Sequence, residues 1–348
     1  MEIFFIYLPF IFLSLFLNYL VIRFKDFFSR IGNEIDTIQR IHDKYTPPLG
    51  GVIIFLVFYL YLKTFNSNSF FLHLSIFLPG LLIIIVSVIE DLFAIIKPSL
   101  RFITIFFSSL IFVYFYQEQL PILDIPYVSI FFNKFVWIEI LFYSLGLTAL
   151  ANGFNMIDGM NGLAGFNGLS ILIGIASVLL INNQFDLFSE EIIMLMILLV
   201  IFLFFNFPFG KIFLGDAGAY WIGWILGVMV IYLYSNNDLN TWGAILLIFY
   251  PLFEVIFSTL RKLIQNKNPL LPDEKHLHLK LYYTIKGPVE RSQQFNSFTT
   301  LCLMPLWFLP NLMIVWTFYY SHLSFIAIGL MSLIYIYFYY VIPEKKLN

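Results

Sequence analysis

Residues 192–234 read IIMLMILLVIFLFFN, FPFGKIFLGD and AGAYWIGWILGVMVIYLY, so that two long apolar runs flank ten residues containing one lysine and one aspartate. A helix needs about 20 mainly apolar residues to cross a bilayer. Both runs approach that length, and the pattern therefore predicts two membrane-spanning helices joined by a short polar loop. The same alternation of apolar runs and polar segments continues along the chain.

Eleven such runs occur in the 348 residues, at 3–22, 49–63, 74–89, 99–116, 135–151, 168–182, 192–206, 217–234, 242–260, 296–318 and 321–342. They predict an all-α polytopic membrane protein with about eleven transmembrane helices, ten being the alternative, in one integral-membrane domain over residues 1–348. The first run follows Glu2 rather than a basic stretch and lacks a small-residue cleavage site. We therefore expect a permanent helix there rather than a secretory signal.

The composition excludes several classes of protein. Hydrophobic residues make up 60% of the chain and charged residues 11%, with a mean hydropathy of +0.88, whereas soluble domains carry about 25% charged residues. A net charge of −2 leaves no basic surface for nucleic acid, so we expect no nucleic-acid partner. The single cysteine, Cys302, excludes an intramolecular disulfide and a cysteine-based metal site.

The basic residues predict the orientation, because lysine and arginine favour the cytoplasmic side of a membrane. With the N-terminus external, the segments after odd-numbered runs contain 17 of the 19 basic residues, and only Lys63 and Lys134 are external. The C-terminus is then cytoplasmic. The predicted cytoplasmic loops are at about 23–48, 90–98, 152–167, 207–216 and 261–295.

Polar residues that a membrane scaffold does not need occur in these loops. The acids Glu90 and Asp91 end the third run, where carboxylates are costly to desolvate unless a cation or a proton neutralises them. Lys97 and Arg101 follow closely enough to neutralise them. A solvated helix end is the alternative for this pair.

The segment 152–168, NGFNMIDGMNGLAGFNG, combines glycines with Asn155, Asp158 and Asn161. These three residues are three positions apart, so on a helix they would project within about 120°. Close packing of small residues accounts for the glycines but not for two amides and a carboxylate among them. We therefore favour a ligand site.

Asp216 lies between glycines at the start of the eighth run. An acid in that place suits Mg²⁺, which takes one or two protein oxygens plus substrate phosphates. Capping of the eighth helix by the Asp216 side chain is the alternative.

His276 and His278 lie in the basic segment PDEKHLHLK, residues 272–280. Imidazole and ammonium groups suit the phosphate oxygens of an anionic substrate, and lipid headgroups are the alternative for the lysines outside the motif. A His-x-His pair can ligate zinc, but without a further cysteine or histidine set we discount zinc.

Two further residues are candidate site members. Lys44 precedes a turn fixed by Pro47, Pro48 and paired glycines, which could present it to the same compartment. Glu254 lies in an apolar run, where a carboxylate requires a partner or a functional role.

All these groups lie on one predicted face, with little charge at mid-membrane. A transporter, the alternative, would place polar groups near the midplane. The pattern favours an interfacial enzyme that joins a soluble phosphorylated substrate to a lipid, since phosphoryl transfer depends on charge neutralisation and positioning.

Five segments, in order, resemble the polyprenyl-phosphate N-acetylhexosamine-1-phosphate transferases, the glycosyltransferase family 4 of MraY, WecA and TagO. They are Lys44-x-Thr-Pro-x-x-Gly-Gly, Glu90-Asp91, Asn155-x-x-Asp158-Gly-x-Asn161-Gly-Leu-Ala, Phe213-x-Gly-Asp216-x-Gly and His276-x-His278. The resemblance covers about residues 40–280.

The resemblance implies transfer of an N-acetylhexosamine 1-phosphate, with GlcNAc preferred, from a UDP-sugar to undecaprenyl phosphate at the bacterial inner membrane, with release of UMP. It implies Mg²⁺ (Mn²⁺ being the alternative) on Asp216 and Asn155. The implied catalytic residues are Asp91, Glu90, Asp216 and Asp158, with Asp91 as a base or a nucleophile. The implied substrate-binding residues are Lys44, Arg101, Asn155, Asp158, Asn161, His276 and His278. The resemblance leaves open whether the protein forms a homodimer.

Two departures from the family pattern refine this hypothesis. Glu90 stands where the family usually has aspartate, and His276-Leu277-His278-Leu279-Lys280 differs from the His-His-His pattern of MraY. The second departure favours a WecA-type enzyme that initiates a glycan such as O-antigen over the phospho-MurNAc-pentapeptide transferase of peptidoglycan synthesis. Because a phosphate monoester, with a second pKa near 6, is largely a dianion at neutral pH, we favour direct attack by the lipid phosphate.

Overall fold

The computed structural model describes residues 2–31, 45–123, 125, 127–185, 189–236, 238–269, 271, 273–286 and 293–343. Its α-helices are α1 Glu2–Arg23, α2 Lys25–Ile31, α3 Gly50–Phe65, α4 Leu74–Phe93, α5 Pro98–Phe115, α6 Val128–Lys134, α7 Val136–Ile157, α8 Leu163–Ile181, α9 Ser189–Asn206, α10 Gly215–Ser235, α11 Thr241–Leu247, α12 Phe249–Ile264, α13 Leu277–Lys286, α14 Gln293–Cys302, α15 Met304–Thr317 and α16 Ser321–Val341. No β-strand occurs in these residues, and the predicted all-α polytopic fold is confirmed.

All eleven predicted runs are helical. Within the described residues, nine helical segments are long and apolar enough to cross a membrane, and one of them, Phe295–Thr317, comprises most of α14 together with α15. The ninth run is divided into α11 and α12, which meet at 87° and would make a tenth span if counted together. The second run forms α3, a helix of 16 residues that is shorter than a full span because Pro47 and Pro48 precede its start. The predicted count of about eleven is therefore nine or ten by length, and the chain is a multi-pass membrane protein.

Helix α10 is at the centre of the bundle and is buried along nearly its whole length. It packs against α3, α4, α7 and α8. The closest of these contacts pairs Gly51 of α3 with Gly218 of α10, since a Cβ on Gly51 would overlap the Cα of Gly218. Glycine is required here because only its backbone permits so close an approach.

The start of α3 is hydrogen-bonded to the segment that leads into α10. The N–H groups of Gly50 and Gly51 donate to the carbonyls of Phe213 and Leu214 at 2.9 Å, and the N–H of Phe213 donates to the carbonyl of Pro47 at 3.0 Å. The first N–H groups of a helix have no partner within the helix, so a neighbouring segment satisfies them here. Two of the predicted motif segments are thereby joined.

Helix α7 extends further than expected, because Gly153 packs directly against the carbonyl of Pro251 in α12 and the helix continues to Ile157. Helix α8 begins at Leu163, so only residues 158–162 of the predicted loop 152–167 connect the two helices. The predicted helical face of Asn155, Asp158 and Asn161 is therefore not formed. Asn155 lies in the last turn of α7, and the other two residues lie in the connection.

Candidate functional site

A cavity of about 880 Å³ lies where α4 and α7 end, α5 and α10 begin, and α12 passes beside them. The polar side chains that line it are Asp91, Arg101, Asn152, Asn155, Asp158, Asn161, Asn206, Asp216, Tyr220, Thr259, Lys262, Asn268, Asp273, His276 and His278. From the first motif segment, Pro48 lines the cavity, and Lys44 lies outside the described residues. Residues from all five predicted segments therefore meet in one cavity of the size typical of ligand sites.

Asp91 supports the start of α10 from a different helix. Its Oδ1 accepts the backbone N–H of Asp216 and its Oδ2 accepts that of Ala217, each at 3.0 Å. A carboxylate at a helix N-terminus is stabilised by these unpaired N–H groups and by the helix dipole. The alternative that the Asp216 side chain caps the helix is wrong, because the N-cap position is Leu214 and Asp216 is the second helical residue.

Gly215 makes this arrangement possible. Its φ is +78°, in the left-handed region that favours glycine. A Cβ at this position would overlap the carbonyl oxygen of Pro48 and lie 2.8 Å from Oδ2 of Asp91. The glycine before Asp216 therefore serves the local geometry of the site.

The carboxylate of Asp216 forms an ion pair with the guanidinium of Arg101. The same guanidinium lies 3.8 Å from Oε1 of Glu90, whose Oε2 accepts the N–H of Ile96 at 2.7 Å. Arg101 thus pairs with Glu90, as expected, and with Asp216 in addition, whereas the carboxylate of Asp91 is bonded to the backbone of α10. Glu90 stands beside the cavity rather than in its lining.

Asn155 and Asp158 complete the acidic part of the cavity. Asn155 donates from Nδ2 to the hydroxyl of Tyr220 at 2.9 Å and lies within hydrogen-bonding reach of the Asp216 carboxylate. Desolvation raises the pKa of the Asp158 carboxyl well above its usual range, and the negative charge of Asp216 raises it further. The negative charges of this region therefore act on one another.

The oxygen atoms of Asp216 and Asn155 fit a hard divalent cation. Asp91, Asp158 and Asp216 face the cavity together, and a cation would offset their repulsion. Within the described part of the chain, no three His, Cys, Asp or Glu side chains are grouped as a metal cage. A cation here would take one or two protein oxygens and complete its shell with water and substrate, as Mg²⁺ commonly does.

Asn161 forms hydrogen bonds that hold the connection between α7 and α8 against other segments of the chain. Its Nδ2 donates to the carbonyl of Pro208 at 3.0 Å, its N–H donates to Oδ1 of Asn296, and its carbonyl accepts the hydroxyl of Thr300 at 2.8 Å. The residue is 2% exposed. These contacts are structural, and the substrate-binding role of Asn161 stays a prediction.

The two histidines lie next to each other in the cavity wall. Their rings are parallel within 5°, with centroids 5.6 Å apart. Nδ1 of His276 is 3.0 Å from Oε1 of Glu254, whose Oε2 accepts the hydroxyl of Tyr335 at 2.7 Å. The partner that the buried Glu254 requires is therefore His276, together with Tyr335.

His278 is 1% exposed, and burial lowers its pKa to about 3. It is consequently neutral at physiological pH. A Cβ on Gly159 would lie 2.9 Å from Nε2 of His278, so the glycine leaves room for the imidazole beside Asp158.

Several residues of the site were not identified from the sequence. Tyr220 lies one turn after Asp216 on α10, and the i, i+4 spacing could have indicated it. The ion pair of Arg261 with Asp273 and the hydrogen bonds of Lys262 to the carbonyls of Pro269 and Leu271, at 3.1 and 2.7 Å, close the loop after α12. No local pattern predicts these pairs, because each joins the last turn of α12 to a residue of the loop that follows.

Comparison with known proteins identifies relatives. A family model described as Glycosyl transferase family 4 matches residues 73–234. The undecaprenyl-phosphate alpha-N-acetylglucosaminyl 1-phosphate transferase of Thermotoga maritima is 29% identical over 252 residues, 69% of this chain and 69% of that protein. A probable undecaprenyl-phosphate N-acetylglucosaminyl 1-phosphate transferase of Bacillus subtilis is 25% identical over 246 residues, 70% of this chain and 67% of that protein.

A phospho-N-acetylmuramoyl-pentapeptide-transferase of Prochlorococcus marinus is 30% identical over 298 residues, 79% of this chain and 82% of that protein. Similarity at this level extends over most of both chains, and the residues matched by the family model include the motif segments that contain Glu90-Asp91, Asn155–Ala164 and Phe213–Gly218. The chain therefore belongs to glycosyl transferase family 4 and is a membrane phosphotransferase of the polyprenyl-phosphate N-acetylhexosamine-1-phosphate type.

Proposed function

We propose that this protein transfers GlcNAc 1-phosphate from UDP-GlcNAc to undecaprenyl phosphate and releases UMP, as the first membrane step of a cell-surface glycan. The observation that carries the proposal is the single cavity in which Asp91, Asp158, Asp216 and Arg101 face the two histidines. The names of the Thermotoga maritima and Bacillus subtilis relatives support GlcNAc and undecaprenyl phosphate.

In the proposed reaction an oxygen of the lipid phosphate attacks the β-phosphorus of the UDP-sugar. The bond between the β-phosphorus and the bridging oxygen breaks, and the oxygen leaves with UMP. Both oxygens of Asp91 accept backbone N–H groups, which stabilise the carboxylate and make it a weaker nucleophile. This favours direct attack, with Asp91 orienting Asp216.

The family generally uses a divalent metal ion, and we assign Mg²⁺ to the oxygens of Asp216 and Asn155, with Mn²⁺ as the alternative. The ion would supply positive charge to the diphosphate oxygens. Arg101, already paired with Asp216, lies where it can contact the same phosphates. Lys44 stays a predicted phosphate ligand, and Asp158 and Asn161 stay predicted substrate ligands.

We further propose one integral-membrane domain at the bacterial inner membrane, with an external N-terminus and the cavity open to the cytoplasm. The lysine and arginine distribution supports this orientation. In a Cys302→Ser background, a membrane-impermeant maleimide added to intact cells should label Asn68→Cys and not Lys267→Cys, both of which replace exposed residues. Labelling of Lys267→Cys alone would show that the orientation is the opposite of the proposed one. A homodimer remains part of the hypothesis.

The proposed reaction is tested with the purified full-length chain in detergent, undecaprenyl phosphate and Mg²⁺. We expect UMP release from UDP-GlcNAc that requires both the lipid and the metal. UDP-GalNAc, a 6-deoxy analogue and UDP-MurNAc-pentapeptide form the comparison panel. Turnover with the pentapeptide substrate alone would reject the GlcNAc assignment in favour of peptidoglycan synthesis.

A further inference from the structure

Glu254 is a carboxylate on α12 with 1% of its surface exposed. Its Oε1 is 3.0 Å from Nδ1 of His276, and its Oε2 accepts the hydroxyl of Tyr335 at 2.7 Å. The three side chains come from α12, from the residue before α13 and from α16. Tyr335, which is fully buried, lies beyond the segments in which the sequence resembles the family.

A buried charged network of this kind is not needed for stability, because apolar residues of similar volume can often replace buried ion pairs without loss of stability. Its geometry therefore indicates a purpose other than packing. With Nδ1 of His276 donating to Glu254, Nε2 is the ring nitrogen that remains for a ligand, and His276 lines the cavity. A carboxylate behind an imidazole fixes its tautomer and orientation and stabilises its charged form.

Two further contacts limit movement of this element. The parallel ring of His278 stacks on His276 with a centroid distance of 5.6 Å. Lys280, one turn into α13, lies over the ring of Tyr339 at 4.0 Å and donates to the Tyr339 carbonyl at 2.5 Å. Helix α16 thus contacts α13 directly through Tyr339 and reaches His276 through Tyr335 and Glu254.

We propose that Glu254 and Tyr335 are positioning residues, which orient the His276 imidazole so that Nε2 donates to a phosphate oxygen of the sugar nucleotide. This inference rests on the proposed function. Glu254 and Tyr335 act through His276, so their removal should weaken binding of the nucleotide sugar and leave binding of the lipid phosphate nearly unchanged.

A double-mutant cycle tests this role in the full-length chain. Glu254→Gln keeps the size of the side chain and removes its charge, and we expect the KM for UDP-GlcNAc to rise about tenfold, as for loss of a hydrogen bond to a charged group. Tyr335→Phe should raise it about threefold. In a His276→Ala background the same changes should have almost no further effect, because residues that act through one group are not additive.

Tyr337→Phe is the matched control, since Tyr337 is on the same helix and is 64% exposed. It should change neither KM. Equal increases in the KM values for UDP-GlcNAc and undecaprenyl phosphate, or full additivity with His276→Ala, would assign Glu254 and Tyr335 to folding alone and overturn the proposal.

A measurement without turnover separates this proposal from the proposed function. In ¹⁵N-histidine spectra of the purified protein, the signal that disappears in His276→Ala should show a protonated Nδ1, and Glu254→Gln should shift it. An unprotonated Nδ1 in the unsubstituted chain would refute the positioning role even if UMP is released. The expected signal, combined with no turnover of UDP-GlcNAc, would refute the substrate assignment instead.

Discussion

The carboxylate of Asp91 and the backbone of Asp216 are joined by a hydrogen bond of 3.0 Å, although 125 residues separate them. The other oxygen of Asp91 accepts the next N–H of α10. The end of α4 thereby fixes the start of α10, and the side chain of Asp216 is directed toward Arg101. The carboxylate of Asp91 therefore supports the backbone at Asp216, whereas the carboxylate of Asp216 is paired with Arg101.

Asp91→Asn should lower the thermal midpoint as well as activity. The amide keeps one acceptor and turns a donor toward an N–H group, and a buried donor without a partner costs about 1–3 kcal/mol. Thermal unfolding in detergent measures the effect, with Asp26→Asn, a change at an exposed acid, as the control. A covalent GlcNAc-phosphate adduct on Asp91 after incubation with UDP-GlcNAc alone, with release of UMP, would show that Asp91 is a nucleophile.

Asp216→Asn should abolish turnover, because the site loses both the carboxylate assigned to Mg²⁺ and the partner of Arg101. UMP release measured over a range of Mg²⁺ concentrations checks this, and chelation of the metal should stop the unsubstituted enzyme reversibly. Activity near the unsubstituted level with unchanged Mg²⁺ dependence would remove Asp216 from the metal site.

Gly215→Ala should strongly impair folding and activity, since a Cβ would overlap the Pro48 carbonyl and a φ of +78° costs a non-glycine residue about 1–2 kcal/mol. Gly146→Ala is the control, because a Cβ there meets no atom within 4 Å. Yield of folded protein and thermal midpoint are the measurements. Equal behaviour of the two variants would contradict the steric argument.

Stability should fall as the pH is lowered below about 6.5, because burial holds the pKa of His278 near 3. Below the unfolded-state value the unfolded chain binds a proton that the folded chain does not, which costs about 1.4 kcal/mol for each pH unit. Asp158, with its raised pKa, has the opposite effect, since its folded form binds a proton first.

Because these two effects oppose each other, the contribution of His278 is measured as the difference between a variant and the unsubstituted chain. His278→Gln should flatten the dependence of the thermal midpoint on pH between 6.5 and 5 relative to the unsubstituted chain. His73→Gln, at an exposed histidine, should leave that dependence unchanged. A parallel pH dependence in all three proteins would mean that His278 is protonated in the folded state.

The helices could be predicted because the length of an apolar run is a local property. All eleven runs are helical, and the polar motifs between them contain most of the cavity lining. The prediction failed where packing decides the end of a helix. Helix α7 continues past residue 151 because Gly153 fits against Pro251 of α12, and nothing near Gly153 in the sequence indicates this contact.

The sequence by itself determined that this is an all-α membrane protein and which residue types are available for phosphoryl chemistry, since both follow from composition and short-range spacing. Only the tertiary structure decided what each side chain contacts. Asp91 caps a helix 125 residues away, Asn161 is bonded into α14, and Glu254 reaches Tyr335 across 81 residues. Hydrogen-bond partners depend on which helix ends meet in space, and that is set by the packing of the whole bundle.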